Sequence, residues 1–133
     1  MSGRVVLVTG GNRGIGHAVA KRFAAAGHQV AITSRSGEAA DSDDLLVVKA
    51  DVTDAASVDA AVSEIEEKLG TVEVLVSNAG ITKDGLVLRM SDDDFIDVVD
   101  ANLTGGFRVA KRVSKGMMKG RWGRMIFISS IVG

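Results

Sequence analysis

Short apolar runs alternate with amphipathic segments along these 133 residues, and this alternation constrains the fold more than any other feature. Five runs predict strands: Arg4–Val8, Gln29–Thr33, Leu45–Ala50, Val72–Ser77 and Met125–Ser129. Helical spacing between them predicts four helices: Ile15–Ala26, Ala55–Leu69, Asp92–Val99 and Leu103–Met118. Strands joined through helices form parallel sheets that are covered on both faces. The sequence therefore predicts an α/β fold with a doubly wound, Rossmann-like parallel sheet.

Composition narrows the class of protein. With 46% hydrophobic and 25% charged residues, the chain fits one compact domain. It has no cysteine, which excludes disulfides and thiolate metal sites, and its two histidines show no metal-ligand spacing. The N-terminal segment MSGRVVLVTG resembles neither a signal peptide nor a membrane span. We therefore expect a soluble, cytoplasmic protein that does not associate with membranes and binds no metal.

Charge is strongly segregated along the chain although the net charge is only −1. Residues 1–37 hold five bases and no acid, residues 38–102 hold all 17 acids, and residues 103–133 hold seven bases and no acid. Such blocks are most often solvated faces. The alternative is that the two basic segments meet to receive anionic groups, such as nucleotide phosphates or an acidic partner. Nucleic acid is a poor candidate, because the acidic middle section lacks an aromatic platform.

The turn after the first predicted strand carries the strongest chemical signal. In VTGGNRGIG, the glycines at positions 10, 14 and 16 follow a strand and open a helix. Glycine at such positions permits a tight turn and close approach of the backbone to a pyrophosphate, while the helix N-terminus supplies amide donors. An ordinary glycine-rich loop is the alternative. The strand-turn-helix context favours a dinucleotide site.

The end of the second predicted strand bears on the choice of cofactor. An acid at this point would bind the ribose hydroxyls of NAD, whereas an arginine accommodates a 2′-phosphate. The sequence reads ITSRSGE, so Arg35 and Ser36 occupy the strand end before Glu38. Arg13, in the glycine loop, is a second cation for the same phosphate. The pattern favours NADPH over NADH, with a plain surface role as the alternative for Arg35.

Polar residues also follow the third and fourth predicted strands. Asp51 precedes Thr53 and Asp54, and all three residue types support helix capping. The tripeptide Asn78-Ala79-Gly80 is compatible with an ordinary turn. Ligands of open α/β sheets bind at the carboxyl ends of the strands. Both segments are therefore candidates for the same site as the glycine loop.

Five motifs in order resemble the short-chain dehydrogenase/reductase family over the whole chain. They are TGGNRGIG, ADV, NAG, NLTG and a serine after the fifth predicted strand. The phrases SNAGITKD, ANLTGGFRVAKR and GRMIFISS resemble in particular the bacterial 3-oxoacyl-[acyl-carrier-protein] reductases of fatty-acid synthesis. The resemblance implies a Rossmann fold and the cofactor NADP(H).

The resemblance also implies roles for individual residues around the cofactor. The implied cofactor-binding residues are Gly10, Asn12, Arg13, Gly14, Ile15, Gly16, Arg35, Asp51, Val52, Asn78, Ala79 and Gly80. The Asp51 carboxylate would accept a hydrogen bond from the adenine amino group, with the Val52 backbone alongside. Asn78 and its two neighbours would form a wall beside the ribose.

Ketone reduction requires a group that holds the substrate carbonyl and a proton donor. By resemblance, Ser130 holds the carbonyl oxygen, and the Asn102 backbone carbonyl holds a water of a proton relay. The family's acid is a tyrosine about a dozen residues after the serine, whose pKa a lysine lowers. This sequence contains no tyrosine. We therefore expect residues 1–133 to form an NADP-binding Rossmann domain that is truncated after the fifth strand, incomplete at its C-terminal side and inactive alone.

Partners are predicted from the last helix and strand. Leu103, Phe107, Ala110, Val113 and Met117 follow helical spacing, which indicates a core or subunit face. The basic side opposite is solvated by default, but the resemblance suggests that Arg121 receives an acidic acyl carrier protein. An apolar last strand and the resemblance together predict a homo-oligomer, a tetramer when full-length.

Three functional interpretations remain at this point. The first is the N-terminal part of an NADPH-dependent 3-oxoacyl-carrier-protein reductase. The second is another short-chain dehydrogenase that acts on a different ketone or alcohol, and the third is a nucleotide-binding or assembly module without catalysis. A downstream Tyr-x-x-x-Lys would favour an enzyme over a module.

Overall fold

The computed structural model describes residues 3–12, 14–78 and 91–128. Its strands are β1 (Val5–Thr9), β2 (Gln29–Ser34), β3 (Leu46–Lys49), β4 (Val74–Ser77) and β5 (Arg124–Phe127). Its helices are α1 (Gly14–Ala25), α2 (Ala55–Lys68), α3 (Asp92–Val99) and α4 (Gly105–Gly120). All strands pair in parallel, in the order β3-β2-β1-β4-β5. The predicted doubly wound parallel sheet is confirmed.

The order of the strands places β1 at the centre of the sheet. The chain runs from β1 outward to β3 and then returns to pair β4 with the other side of β1. This reversal creates a crevice at the carboxyl ends of β1 and β4, the usual ligand position in open α/β sheets. The glycine loop follows β1 and therefore lies at this crevice.

Two apolar clusters cover the two faces of the sheet, because successive strand residues point to opposite sides. Leu7 and Leu75 belong to a cluster with α2 and α4, which includes the fully buried Ile65. Val6 and Val8 belong to a second cluster, against which α1 packs through Ala20 and Phe23. The central strand β1 is buried along its whole length. The edge strand β5 is exposed at all four positions.

The last predicted helix begins later than its sequence pattern suggests. A π-helical turn spans Asp100–Thr104, and the α-helix starts at Gly105 instead of Leu103. Gly105 lies so close to the loop after β3 that an added Cβ would stand 2.7 Å from Val52 Cγ2. The apolar spacing runs through the turn without a break, so periodicity alone did not separate the two helical forms.

The predicted apolar stripe on the last helix is partly wrong. The buried residues of α4 are Gly105, Gly106, Val109, Val113 and Met117, a set spaced mainly by four. Leu103 and Phe107 are 72% and 63% exposed. Residues two positions away from a buried stripe lie about 200° around the helix, so they face outward. The core interpretation fails for Leu103 and Phe107, and the subunit-face interpretation stays a prediction.

The segregated charges pair with one another in the fold. Arg112 bridges α2 and α4, with Nε 2.6 Å from Asp59 Oδ1 and Nη2 2.9 Å from Glu66 Oε1. Arg4 and Lys21 likewise pair with acids of the middle segment. These bases are partly exposed, but each is held by an acid of the middle segment. Within the described residues, no ion pair involves Arg35.

Candidate dinucleotide-binding site

The glycine loop is anchored to the second strand. Gly10 adopts a φ of 64°, and its N–H donates to Thr33 Oγ1 at 3.4 Å. The Gly11 N–H donates to the Thr33 carbonyl at 3.2 Å. These bonds extend the β1–β2 pairing to Gly10 and Gly11, so the start of the loop is attached to β2. Sequence reasoning missed Thr33, because its distance from the loop along the chain leaves no local signal.

Position 16, in the first turn of α1, has room for glycine only. A Cβ added at Gly16 would lie 2.4 Å from Asn78 Nδ2 and 2.6 Å from the Gly10 carbonyl oxygen. Gly14 has a φ of 60° and open space around its Cβ position. The helix N-terminus is thus packed against the loop on one side and open on the other. Its amide groups are donors suited to a pyrophosphate.

Asn78 connects the end of β4 to the glycine loop. Its backbone N–H donates to Thr9 Oγ1 at 2.9 Å, and its Nδ2 donates to the Gly10 carbonyl at 3.3 Å. The two strands that border the crevice are therefore joined at their carboxyl ends by the backbone and side chain of one residue, Asn78. Asn78 was predicted beside the ribose, and it lies at this edge of the sheet.

A buried serine shapes the turn after β2. Ser34 Oγ accepts a hydrogen bond from the Gly37 N–H at 2.9 Å and donates to the Glu38 carbonyl at 3.1 Å. Because Ser34 turns inward, Arg35 and Ser36 project from the strand end and are exposed. The predicted phosphate-binding arginine is therefore presented at the same edge of the sheet as the glycine loop.

Asp51 lies after β3 and is held by a local hydrogen-bond network. Its Oδ1 accepts from the Thr53 hydroxyl at 2.6 Å and from the Thr53 N–H at 2.9 Å. These two donors, with smaller contributions from the cations of Arg35 and Arg108, hold the pKa of the Asp51 carboxyl below its ordinary value. Asp54, not Asp51, caps α2 by accepting from the Ala56 N–H. The capping interpretation is confirmed for Asp54 alone.

The lowered pKa of Asp51 predicts a contribution to acid stability. Because the folded-state pKa lies below that of the unfolded chain, about 3.9, the contribution is complete above that value and is lost as the pH falls through the folded pKa. Replacing Thr53 with valine should lower the free energy of unfolding at pH 6 and lower it by less at pH 2.5, because part of the contribution is already lost below a pH of about 3.9. Urea unfolding at both pH values measures this difference. Replacement of the exposed Thr71 by valine is the control, and an equal loss at both pH values for Thr53→Val would contradict the assignment.

The predicted catalytic residue Asn102 is described by the structure, whereas Ser130 and three of the predicted cofactor residues are not. Asn102 lies in the π-helical turn directly before α4. A Cβ added at Gly106 would lie 3.3 Å from Ser77 Oγ, so the start of α4 packs at the carboxyl end of β4. Arg13, Ala79, Gly80 and Ser130 lie outside the described residues.

The structure brings most predicted cofactor residues to one edge of the sheet. Gly10, Arg35, Asp51 and Asn78 follow the carboxyl ends of β1, β2, β3 and β4. Their groups are backbone amides, a guanidinium, a carboxylate and an amide. Such a row has the polarity that a dinucleotide site requires, with donors for phosphate and an acceptor for a base amino group.

Arg121 lies at the opposite edge. It follows α4 in the left-handed conformation and precedes β5, whose first residue, Arg124, pairs with Val74 at the start of β4. The amino ends of the strands are therefore on its side of the sheet. Arg121 is exposed, but it is remote from the glycine loop of the same chain.

Among the described residues, no group of three or more His, Cys, Asp or Glu side chains is arranged to hold a metal ion. His28 Nδ1 instead accepts from the Arg4 N–H at 2.9 Å. In the same part of the chain, no helix combines the length and apolar character needed to cross a membrane.

Known proteins match the chain over nearly all of its length. The family model for short chain dehydrogenases matches residues 4–133. The 3-oxoacyl-[acyl-carrier-protein] reductase MabA of Mycobacterium avium is 55% identical over 130 residues, which cover 98% of this chain and 50% of that protein. The Mycobacterium tuberculosis MabA is 54% identical and is covered to 52%. The FabG reductase of Escherichia coli K12 is 44% identical over 137 residues, with 98% and 56% covered.

The chain thus spans about half the length of the curated relatives that it matches. The family match begins before β1 and includes the glycine loop. This loop lies at the crevice, at the carboxyl end of β1. The resemblance inferred from the ordered motifs is confirmed, and the chain belongs to the short-chain dehydrogenase/reductase family.

Proposed function

We propose that residues 1–133 form the NADP(H)-binding domain of an NADPH-dependent 3-oxoacyl-[acyl-carrier-protein] reductase. The observation that carries the proposal is the packed glycine loop, in which Gly16 leaves no room for a Cβ and the start of α1 is open. The names of relatives that are 44% to 55% identical support the substrate class. The reaction would be the reduction of a carrier-linked 3-oxoacyl thioester in fatty-acid synthesis.

The preference for NADPH is supported by the turn after β2. Arg35 projects from the strand end, and no carboxylate stands between it and Glu38. The Glu38 N–H donates to Ser36 Oγ at 3.2 Å, which keeps this short turn compact. An arginine fork matches the oxygens of a phosphate, whereas it offers no acceptor to ribose hydroxyls. NADP(H) is therefore the proposed cofactor, with Arg13 as a second cation.

The proposed roles at the reacting end rest on the resemblance to the family. NADPH, when bound, supplies a hydride to the ketone, and the developing alkoxide requires a hydrogen-bond donor and a proton. Ser130 is proposed to donate to the carbonyl oxygen, and the Asn102 carbonyl to hold a water. The chain contains no tyrosine, so the family's acid is missing from residues 1–133. We accordingly expect these residues alone to bind cofactor without reducing ketones.

The proposed partners are a carrier protein and further copies of the chain. Leu103 in the π-helical turn is 72% exposed, and Phe107 and Met118 on α4 are 63% and 78% exposed. Large apolar side chains on one helix are typical of a subunit interface. Homo-oligomerisation is proposed on these grounds, and a carrier contact through the exposed Arg121 is proposed from the resemblance to the family.

The test is cofactor binding to the purified 133-residue chain, followed by NADPH fluorescence and calorimetry with both cofactors. The wild-type chain should bind NADPH more tightly than NADH. Arg35→Asp should weaken NADPH binding by about 10- to 100-fold, because a charge-assisted pair of about 1.5–3 kcal/mol is lost and a repulsive charge is added. NADH binding should be unchanged or stronger.

The matched control is Arg22→Asp, which makes the same charge change on an exposed residue in the last turn of α1. It should leave the ratio of the two affinities unchanged. An unchanged NADPH affinity in Arg35→Asp, or an equal loss for both cofactors, would contradict the assignment of Arg35. A wild-type chain that binds neither cofactor would contradict the proposed function itself.

A further inference from the structure

Arg108, on the first turn of α4, lies outside the residues identified from the sequence and contacts two parts of the candidate site. Its Nη1 donates to the Val52 carbonyl oxygen at 2.9 Å. The same Nη1 lies 3.0 Å from Asp100 Oδ1 in the π-helical turn. The Arg108 side chain is only 26% exposed. One guanidinium therefore joins the loop after β3 to the turn that contains Asn102.

The packing beneath Arg108 leaves little freedom for this loop. Gly105 lies against Val52, with 2.7 Å between a Cβ added at Gly105 and Val52 Cγ2. The Val52 side chain is buried in the cluster that also holds Val109. Two contacts thus set the position of the Val52 backbone. The first turn of α4 packs against the Val52 side chain, and Arg108 donates to the Val52 carbonyl. The Arg108 cation also contributes to the lowered pKa of the neighbouring Asp51 carboxyl.

We propose that Arg108 is a positioning residue for the adenosine end of the dinucleotide. It holds the Val52 backbone and the π-helical turn at a fixed separation, so that the adenine-binding segment is ordered before the ligand arrives. A binding segment that is already ordered loses less conformational entropy when the ligand binds, so the affinity is higher. Arg108 suits this role because Nη1 carries two N–H groups, so one nitrogen at the end of a partly buried side chain contacts both acceptors. The inference rests on the proposed function.

The experiment compares Arg108→Met, Arg108→Lys and the control Arg112→Met in the 133-residue chain. Arg112 lies one turn further along α4 and makes two ion pairs, but its partners Asp59 and Glu66 belong to α2 and not to the site. Calorimetry measures binding of NADPH and of adenosine 2′-phosphate, a probe that lacks the nicotinamide. Hydrogen exchange measures the Thr53 amide, which donates to Asp51.

Arg108→Met should weaken binding of NADPH and of adenosine 2′-phosphate by the same factor, about tenfold, as expected when a charge-assisted hydrogen bond is lost. Arg108→Lys should show a smaller loss, because it keeps the charge beside Asp100. Exchange at Thr53 should accelerate in Arg108→Met only. Arg112→Met should leave both affinities and the Thr53 exchange rate at their wild-type values.

Distinct results separate the two proposals. If the wild-type chain binds the probes while Arg108→Met remains folded with unchanged affinity and Thr53 exchange, the role of Arg108 is refuted and the proposed function stands. Equal losses in Arg108→Met and Arg112→Met would also refute it, since a general loss of stability would explain both. If Arg108→Met fails to fold, the proposal is tested by Arg108→Lys alone. An Arg108→Lys chain that binds both probes as tightly as the wild type would refute the role of Arg108. A wild-type chain that binds neither probe overturns both proposals.

Discussion

Gly16→Ala is expected to abolish measurable dinucleotide binding, with the dissociation constant for NADPH raised more than about 100-fold (over about 2.7 kcal/mol). The added methyl would lie 2.6 Å from the Gly10 carbonyl oxygen and 2.4 Å from Asn78 Nδ2. The oxygen is part of a loop that Thr33 holds, so it cannot move without displacing the glycine loop. Overpacking at such a contact costs about 1–3 kcal/mol of stability as well. Calorimetric titration and urea unfolding measure the two effects.

Gly120→Ala is the matched control for this substitution. Gly120 ends α4, and a Cβ added there meets no atom within 4 Å. Alanine favours helix over glycine by up to about 1 kcal/mol, so the control should bind NADPH normally with equal or higher stability. Wild-type affinity in Gly16→Ala would show that the glycine loop does not form the dinucleotide site.

Among the substitutions proposed here, Leu75→Ala is expected to lower the free energy of unfolding most. The expected loss is about 3 kcal/mol, within the usual range of 2–5 kcal/mol for a buried leucine. Leu75 is fully buried in β4, between β1 and β5, and packs in the cluster under α2 and α4. The loss combines the removed apolar transfer energy with the cavity that remains. Because domains are stable by only about 5–15 kcal/mol, such a loss is a large share of the total. The urea midpoint should fall with little change in the slope.

Met125→Ala tests whether this effect comes from burial. Met125 stands opposite Leu75 on β5 but is 36% exposed. Its replacement should cost about 1 kcal/mol, since less surface is removed from the interior. Comparable losses at Leu75 and Met125 would mean that β5 is covered as well as β4, contrary to the fold described.

Local patterns were sufficient to predict the elements of the fold. Apolar runs and helical spacing identified every described strand and helix to within two residues or so at each end. Glycine spacing after β1 identified the loop, because the need for a positive φ and a close approach is expressed at single positions. Arg35 could likewise be located from the sequence, because it directly follows the second predicted strand. The roles of all the predicted site residues stay predictions, and Arg13, Ala79, Gly80 and Ser130 also lie outside the described residues.

Contacts between distant segments were decided by the tertiary structure. Arg108 and Val52 are 56 residues apart, and Asn78 and Gly10 are 68 residues apart. The buried stripe of α4 also depended on where Gly105 meets Val52, and this contact turned Leu103 and Phe107 outward. The sequence by itself thus determined the parallel α/β fold and the chemistry of its strand ends, because backbone preferences and apolar periodicity are local. Only the tertiary structure decided which side chains hold those ends in place, because hydrogen bonds and close packing depend on distances that the order of residues does not contain.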